Sequence, residues 1–256
     1  MRPPLGPFAD IERASVADDG AQSDGSSLRP ALSGDGRHLA FLSSASNLVG
    51  QPELPSFFGV YARDTEVDGT EQINVGLGGP GDGGLIGPGG ARPAVSADGR
   101  YAAFPAIVSG CHSFPDAFPV TPFCVYLRDR VTGTTEQVSV TGDGTPGNAP
   151  AFAPAISADG LYVAFQSAAT NLVPGTADQV LRVFLRDRAA GTTELVSVGV
   201  AGAPANGPSF APAVSADGCV VAFASEATSL VPGAGTPEGR VFVRDRCAGG
   251  AFATCP

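Results

Sequence analysis

The sequence predicts an all-β protein, a β-propeller built from four-stranded antiparallel blades, and three observations lead there. A unit of strands and turns recurs four times at intervals of about 60 residues. Its marks keep a fixed order in every copy. Glycine at 35 positions and proline at 23 among 256 residues punctuate the chain too often for helices to extend.

The cleanest copy runs from Phe152 to Val198. Strand-like runs cover 153–157, 162–166, 182–186 and 193–198. Between the first two, Ala158-Asp159-Gly160 suits a short hairpin, because glycine takes the positive φ of a tight return. The proline opening the first strand recurs as Pro30, Pro93, Pro154 and Pro212, and the turn as Asp35-Gly36, Asp98-Gly99, Asp159-Gly160 and Asp217-Gly218. An aromatic closes the second strand (Phe41, Phe104, Phe165, Phe223), and the third ends in Arg63-Asp64, Arg128-Asp129, Arg186-Asp187 and Arg244-Asp245. Alternate side chains of Tyr162-Val163-Ala164-Phe165 point to opposite faces and neither set is charged, so each sheet needs cover on both sides. Radial repetition provides that cover, and propellers start at about four blades. Solenoid stacking would leave two apolar ends in need of caps, and no cap-like unit is visible. The expected blades span approximately 29–76, 92–140, 153–198 and 211–247, within one domain covering 1–256.

Taken in order, the chain opens with a proline-rich lead. Residues 10–16 then match the fourth strand of the unit (193–198) without the three strands that should precede it, whereas the last unit ends after its third strand. The two complement each other. Segment 10–16 is therefore expected to join the last blade and close the ring; the competing reading is a segment of a longer array. The glycine-rich stretch 76–90 reads as a surface loop, since a phosphate cradle would need a helix after it and a strand follows instead. In the second blade the link between second and third strands is rewritten as 105–123. Elsewhere that link carries Ala-Thr-Asn-Leu-Val-Pro-Gly (169–175) or a close variant, whose Leu-Val pair is expected to fold back as a lid.

Cys219 begins the second strand of the last blade and Cys247 lies just past its third, which makes them neighbours in an antiparallel hairpin; Cys111 and Cys124 bracket the rewritten loop in the same way. Two disulfides are expected, each contributing roughly 2 to 4 kcal/mol, with Cys255 left over as a rival for Cys247. No Cys-x-x-Cys spacing occurs and there are only two histidines, His38 and His112, so no metal site is expected. The disulfides favour an extracytoplasmic setting, periplasmic or secreted, although the first residues lack the apolar core of a secretory leader. The net charge of −10 argues against a nucleic-acid partner. No apolar run is long enough to span a bilayer as a helix.

A reaction site should break the repeat. No nucleophile elbow, zinc-peptidase motif or Walker loop does so, and no cofactor is expected. The repeated Asp residues read as turn chemistry, the Arg-Asp pairs as strand-end structure, and Glu71, Glu136 and Glu194 as charge guarding an outer edge. Asp24, Asn148 and Asn206 each stand six residues before the repeat proline, in loops entering the first strands; Gly87 breaks the pattern in the second blade. They are the candidate binding residues, as a polar rim for a protein or a small polar ligand, and turn formation is the plainer role for them.

With these marks in place, Ala-Pro-Ala-Ile-Ser-Ala-Asp-Gly-Leu-Tyr-Val-Ala-Phe and Val-Phe-Leu-Arg-Asp-Arg resemble the WD-repeat-like propeller repeats of the bacterial TolB-like group over roughly residues 10 to 247. The resemblance implies a propeller and leaves activity open, because that group includes interaction proteins and propeller domains attached to peptidases. The expectation is a monomeric, non-catalytic binding or scaffold module. The alternatives are a hydrolase or lyase with its site in the axial channel, and a fragment of a larger propeller protein.

Overall fold

The computed structural model describes residues 11–50, 58–77, 92–108, 111, 123–199, 202–233 and 238–247. No helix occurs among them. The strands form four separate antiparallel meanders. The first comprises β1 (Ser27–Leu32), β2 (His38–Ser43), β3 (Gly59–Asp64) and β4 (Gly69–Gln72). The second comprises β5 (Ala94–Val95), β6 (Tyr101–Ile107), β7 (Phe123–Asp129) and β8 (Thr134–Gln137). The third comprises β9 (Ala151–Ile156), β10 (Tyr162–Ser167), β11 (Arg182–Asp187) and β12 (Thr192–Leu195). The fourth has, among the described residues, three strands, β13 (Ser209–Val214), β14 (Val220–Ser225) and β15 (Arg240–Asp245).

The β1–β2 turn is made by side chains as well as by glycine, and the other blades repeat it. Asp35 accepts from the Ser33 hydroxyl at 2.5 Å and from the Arg37 amide at 2.9 Å, and the same serine oxygen accepts from the His38 amide. Ser157, Asp159 and Leu161 reproduce the arrangement in the third blade, and Ser215, Asp217 and Cys219 in the fourth. The turn glycines sit at φ 71–75°. The turn reading of the repeated Asp is therefore correct.

In the first, third and fourth blades the inner strand bends where its proline enters; in the second, Pro93 stands just before β5 and no bulge forms. Proline has no N–H for the ladder, and the residue before it flips to positive φ: Arg29 at 55°, Ala153 at 52° and Ala211 at 53°. The pairing register shifts at the same places, which defines a β-bulge.

Neighbouring blades are joined by apolar seams. Ala40, Val60 and Ala62 of the first meet Phe104 and Tyr126 of the second; Val125, Leu127 and Val138 of the second meet Phe165 and Phe184 of the third. Val183, Leu185 and Val196 of the third meet Phe223 and Phe242 of the fourth. Within each blade the two aromatics stack, with centroids 5.8–6.4 Å apart. Leu172 and Leu230 of the linking loops lie in these seams, with Val173 packed beside the former, but Val231 is exposed, so in the fourth blade the leucine alone folds back as the expected lid.

A polar latch accompanies the apolar contact. Arg130, Arg188 and Arg246 each reach back to the outer strand of the preceding blade and bond Glu71 (2.5 Å), Glu136 (2.6 Å) and Glu194 respectively. A second nitrogen of each donates to the carbonyl of its own blade's turn glycine, Gly99, Gly160 or Gly218. These glutamates are inter-blade partners, not the free edge charges expected from sequence. The Arg-Asp pairs do bond to backbone at the strand ends, where Asp64, Asp129, Asp187 and Asp245 accept amides of the residues that follow, but not to each other: Asp64 and Asp129 pair with Arg37 and Arg100, while Arg63 bonds Asp68 and Thr70.

The expected pairing of segment 10–16 with the last blade is not formed. Residue 10 lies outside the described residues, 11–15 belong to no strand, and Val16 bridges Gln22. The Val16 carbonyl accepts from Thr70 at 2.7 Å and from Arg63, and Asp18 accepts from the Thr70 amide, so this segment is held on the first blade. The inner strands touch in chain order, β1 with β5, β5 with β9 and β9 with β13.

Candidate functional site

The candidate rim residues stand exposed on one end of the first, third and fourth blades, the end where the second strand passes to the third. Each staples its own loop to that passage. Asn148 accepts from the Thr170 amide at 2.8 Å and donates to the Thr170 hydroxyl, while its own amide donates to Asn171 Oδ1. Asn206 makes the same bonds to Thr228, and its amide donates to the Ser229 hydroxyl. Asp24 accepts from the Ser46 amide at 2.7 Å and from its hydroxyl at 2.5 Å, and the Asp24 amide donates to Asn47 Oδ1. The Ser46 hydroxyl, followed by its amide, holds the Asp24 carboxyl below its ordinary pKa. Asparagine or aspartate is needed here because an acceptor two atoms from Cβ must face a backbone N–H across the loop. Gly87, which breaks the pattern, lies outside the described residues.

The partners of these staples, Ser46, Thr170 and Thr228, were not singled out from the sequence. They stand at one position of the repeated Ala-Thr-Asn-Leu-Val segment, always 22 residues after the rim residue. That constant offset was the available signal.

Elsewhere the ionisable groups are committed to structure. Asp64 and Asp129 are held well below the usual carboxylate range, first by the guanidinium groups of Arg37 and Arg100, then by backbone amides of the following turns. Asp143 is lowered by the Thr141 hydroxyl, Asp178 by Arg182 and Asp217 by the Ser215 hydroxyl. His38 lies 3.4 Å from Asp64 and against the turn Gly99 of the next blade; His112 lies outside the described residues. No group of three or more His, Cys, Asp or Glu is gathered to hold a metal among the described residues. No helix among them is long and apolar enough to cross a membrane.

Both expected disulfides are present, Cys111–Cys124 with Cα atoms 5.7 Å apart and Cys219–Cys247 at 5.4 Å. The first closes the rewritten loop of the second blade. The second ties the start of β14 to the residue two past β15. Cys255 lies outside the described residues.

Comparison with known proteins places the fold. No family model and no curated protein matches the chain. Among solved structures, it is similar to a putative TolB from Agrobacterium tumefaciens (TM-score 0.54, 17% identity), covering 90% of this chain and 61% of that one. It is also similar to TolB from Acinetobacter baumannii (TM-score 0.51, 17% identity), covering 90% of this chain and 43% of that one. The β-propeller domain of the trilobed protease from Pyrococcus furiosus matches at TM-score 0.47 and 10% identity, over 79% of this chain and 49% of that one. The chain thus spans less than two thirds of either TolB structure, and the likeness is one of fold: a TolB-like β-propeller.

Proposed function

We propose that the 256 residues act as one non-catalytic binding module of TolB-like type outside the cytoplasm, taking a protein or a small polar ligand on the rim that carries Asp24, Asn148 and Asn206. The observation that carries this reading is that three equivalent loops stand exposed on one end of the molecule, each already fixed by its own staple. A surface so held loses little freedom on binding. The carboxyl chemistry agrees: each described carboxyl group displaced from its ordinary pKa is displaced downward, as from Asp24 to Asp217. A general acid needs the opposite shift. Two disulfides favour an oxidising compartment, and the net charge of −10 disfavours nucleic acid.

The test is an amide-resolved NMR titration with a panel of short peptides, sugars and amino acids, with the ligand spectra followed in parallel. Shifts confined to 23–25, 147–149 and 205–207, with every ligand recovered unchanged, are the expected result. Chemical turnover of any ligand, or shifts confined to other surfaces, would overturn the proposal.

A further inference from the structure

The residue before the repeat proline is Arg29 in the first blade, Arg92 in the second, Ala153 in the third and Ala211 in the fourth. These four hold one place in the repeat, since the residue after the proline pairs with the second strand at Ala40, Ala103, Ala164 and Ala222 in turn. The place stays open in every blade: it is exposed in the first, second and fourth and half-buried in the third. The second and third blades have a seam on either side, so a neighbouring blade does not cover it. Each inner strand pairs along one edge only, β1 with β2 and β5 with β6, which leaves its other edge toward the middle of the propeller. The two arginines therefore stand on that axial side.

The fold also brings them together. β5 comes within 8 Å of β1, Cα to Cα. At the turn end of the same strands the Asp35 amide donates to the Ala97 carbonyl at 3.2 Å, and a Cβ on Gly34 would lie 3.1 Å from that of Ala97. Arg29 and Arg92 are thus level on adjacent strands, and two extended arginine side chains together are longer than the gap. Neither guanidinium has a partner among the described residues. Arginine elsewhere is engaged, as Arg37 is with Asp64, Arg100 with Asp129 and Arg182 with Asp178. Two like charges placed side by side repel each other until an anion lies between them. Arg29 in addition holds a left-handed backbone, φ 55°, which a residue with a Cβ adopts at a cost, and a bulge of this kind re-aims the side chain it carries.

We propose that Arg29 and Arg92 form a binding site for a small dicarboxylate, one carboxylate to each guanidinium. The planar fork of arginine matches a carboxylate through two parallel N–H···O bonds, and two forks on neighbouring strands match two carboxylates joined by a short linker. Ala153 and Ala211 hold the same level on the third and fourth blades without charge, so the ligand lies across the first and second. The site is on the inner strands, beyond the entry loops that carry the rim, and takes its ligand whether or not the rim takes one.

The test is an NMR titration of the full chain with succinate at neutral pH and low ionic strength, read at the backbone amides and the arginine Nε–H groups, with acetate and chloride as controls. Succinate is expected to shift the signals of Arg29 and Arg92 and to bind at least about tenfold more tightly than acetate, because the dianion alone engages both forks. Arg29→Ala and Arg92→Ala should each weaken succinate binding by about tenfold or more, with Arg→Gln serving at either position if the alanine variant does not fold. Arg240→Ala, which removes an exposed positive charge from the fourth blade, should leave it unchanged. No binding of succinate overturns the proposal, as does binding that survives both replacements. So does succinate binding no tighter than acetate or chloride, or an equal loss on Arg240→Ala, since either would mean attraction to positive charge in general.

Discussion

Arg188 of the third blade bonds Glu136 of the second at 2.6 Å, while its guanidinium carbon lies 4.6 Å from the centre of the Tyr101 ring. The same arginine donates to the Gly160 carbonyl at 2.7 Å. One side chain thus joins two blades through an ion pair, a ring and a backbone acceptor. Arg188→Ala is expected to cost about 1 to 2 kcal/mol in urea unfolding. A double-mutant cycle with Glu136→Ala should assign less than about 1 kcal/mol to the ion pair, because the glutamate is half exposed and screened. A coupling energy that accounts for the whole loss would contradict this division.

The turn glycines differ in what surrounds them. A Cβ on Gly160 would lie 2.2 Å from the Tyr101 ring of the preceding blade, whereas one on Gly36, at nearly the same φ, meets nothing within 4 Å. Gly36→Ala should therefore cost only the backbone strain, about 1 to 2 kcal/mol. Gly160→Ala should cost a further 1 to 3 kcal/mol or so for overpacking. Equal losses in thermal unfolding would mean that the seam yields freely at Tyr101.

Acid should unfold the protein through Asp64 and Asp129. Their folded pKa values lie below the unfolded value of about 3.9, so the stability they contribute is full above that value and is lost as pH falls below about 4. Asp64→Asn with Asp129→Asn should flatten the stability–pH curve below pH 4, while lowering stability at neutral pH because Arg37 and Arg100 lose their partners. An unchanged acid limb in the double variant would assign the transition to other carboxylates.

Reduction should destabilise the two bridged blades. Opening Cys111–Cys124 or Cys219–Cys247, by Cys→Ser replacement of both partners, should each cost about 2 to 4 kcal/mol. The check is denaturant unfolding with and without reductant. Indifference to reductant would mean that neither bridge forms in solution.

Much of this architecture was legible in the sequence because the marks that repeat are backbone devices. Asp35-Gly36 and its copies name a turn, and Cys219 and Cys247 could be paired by hairpin arithmetic alone; the repeated proline marks an inner strand but not its start, since Pro30, Pro154 and Pro212 stand fourth in β1, β9 and β13, at the bulge. What repeated for tertiary reasons was harder to read. Glu71, Glu136 and Glu194 looked like edge charges because their partners, Arg130, Arg188 and Arg246, lie 52 to 59 residues away in the next blade. The staple function of Asn148 was hidden for the same reason: its partner Thr170 belongs to another strand passage. Segment 10–16 was expected as an outer strand, but residues 11–15 belong to no strand, and the attachment is set by Arg63 and Thr70 on the first blade, which no periodicity within the segment reveals.

The seams also bear on how the molecule comes apart. The second and third blades are held from two sides, whereas among the described residues the first and the fourth each have a seam on one side only, so thermal fraying should begin at these two and travel inward. In the fourth blade Cys219–Cys247 fastens β14 to β15 and so resists that fraying. In an oxidising compartment the bridge would hold β14 and β15 together against a protease that attacks this blade, and it would then act on the lifetime of the protein more than on its shape.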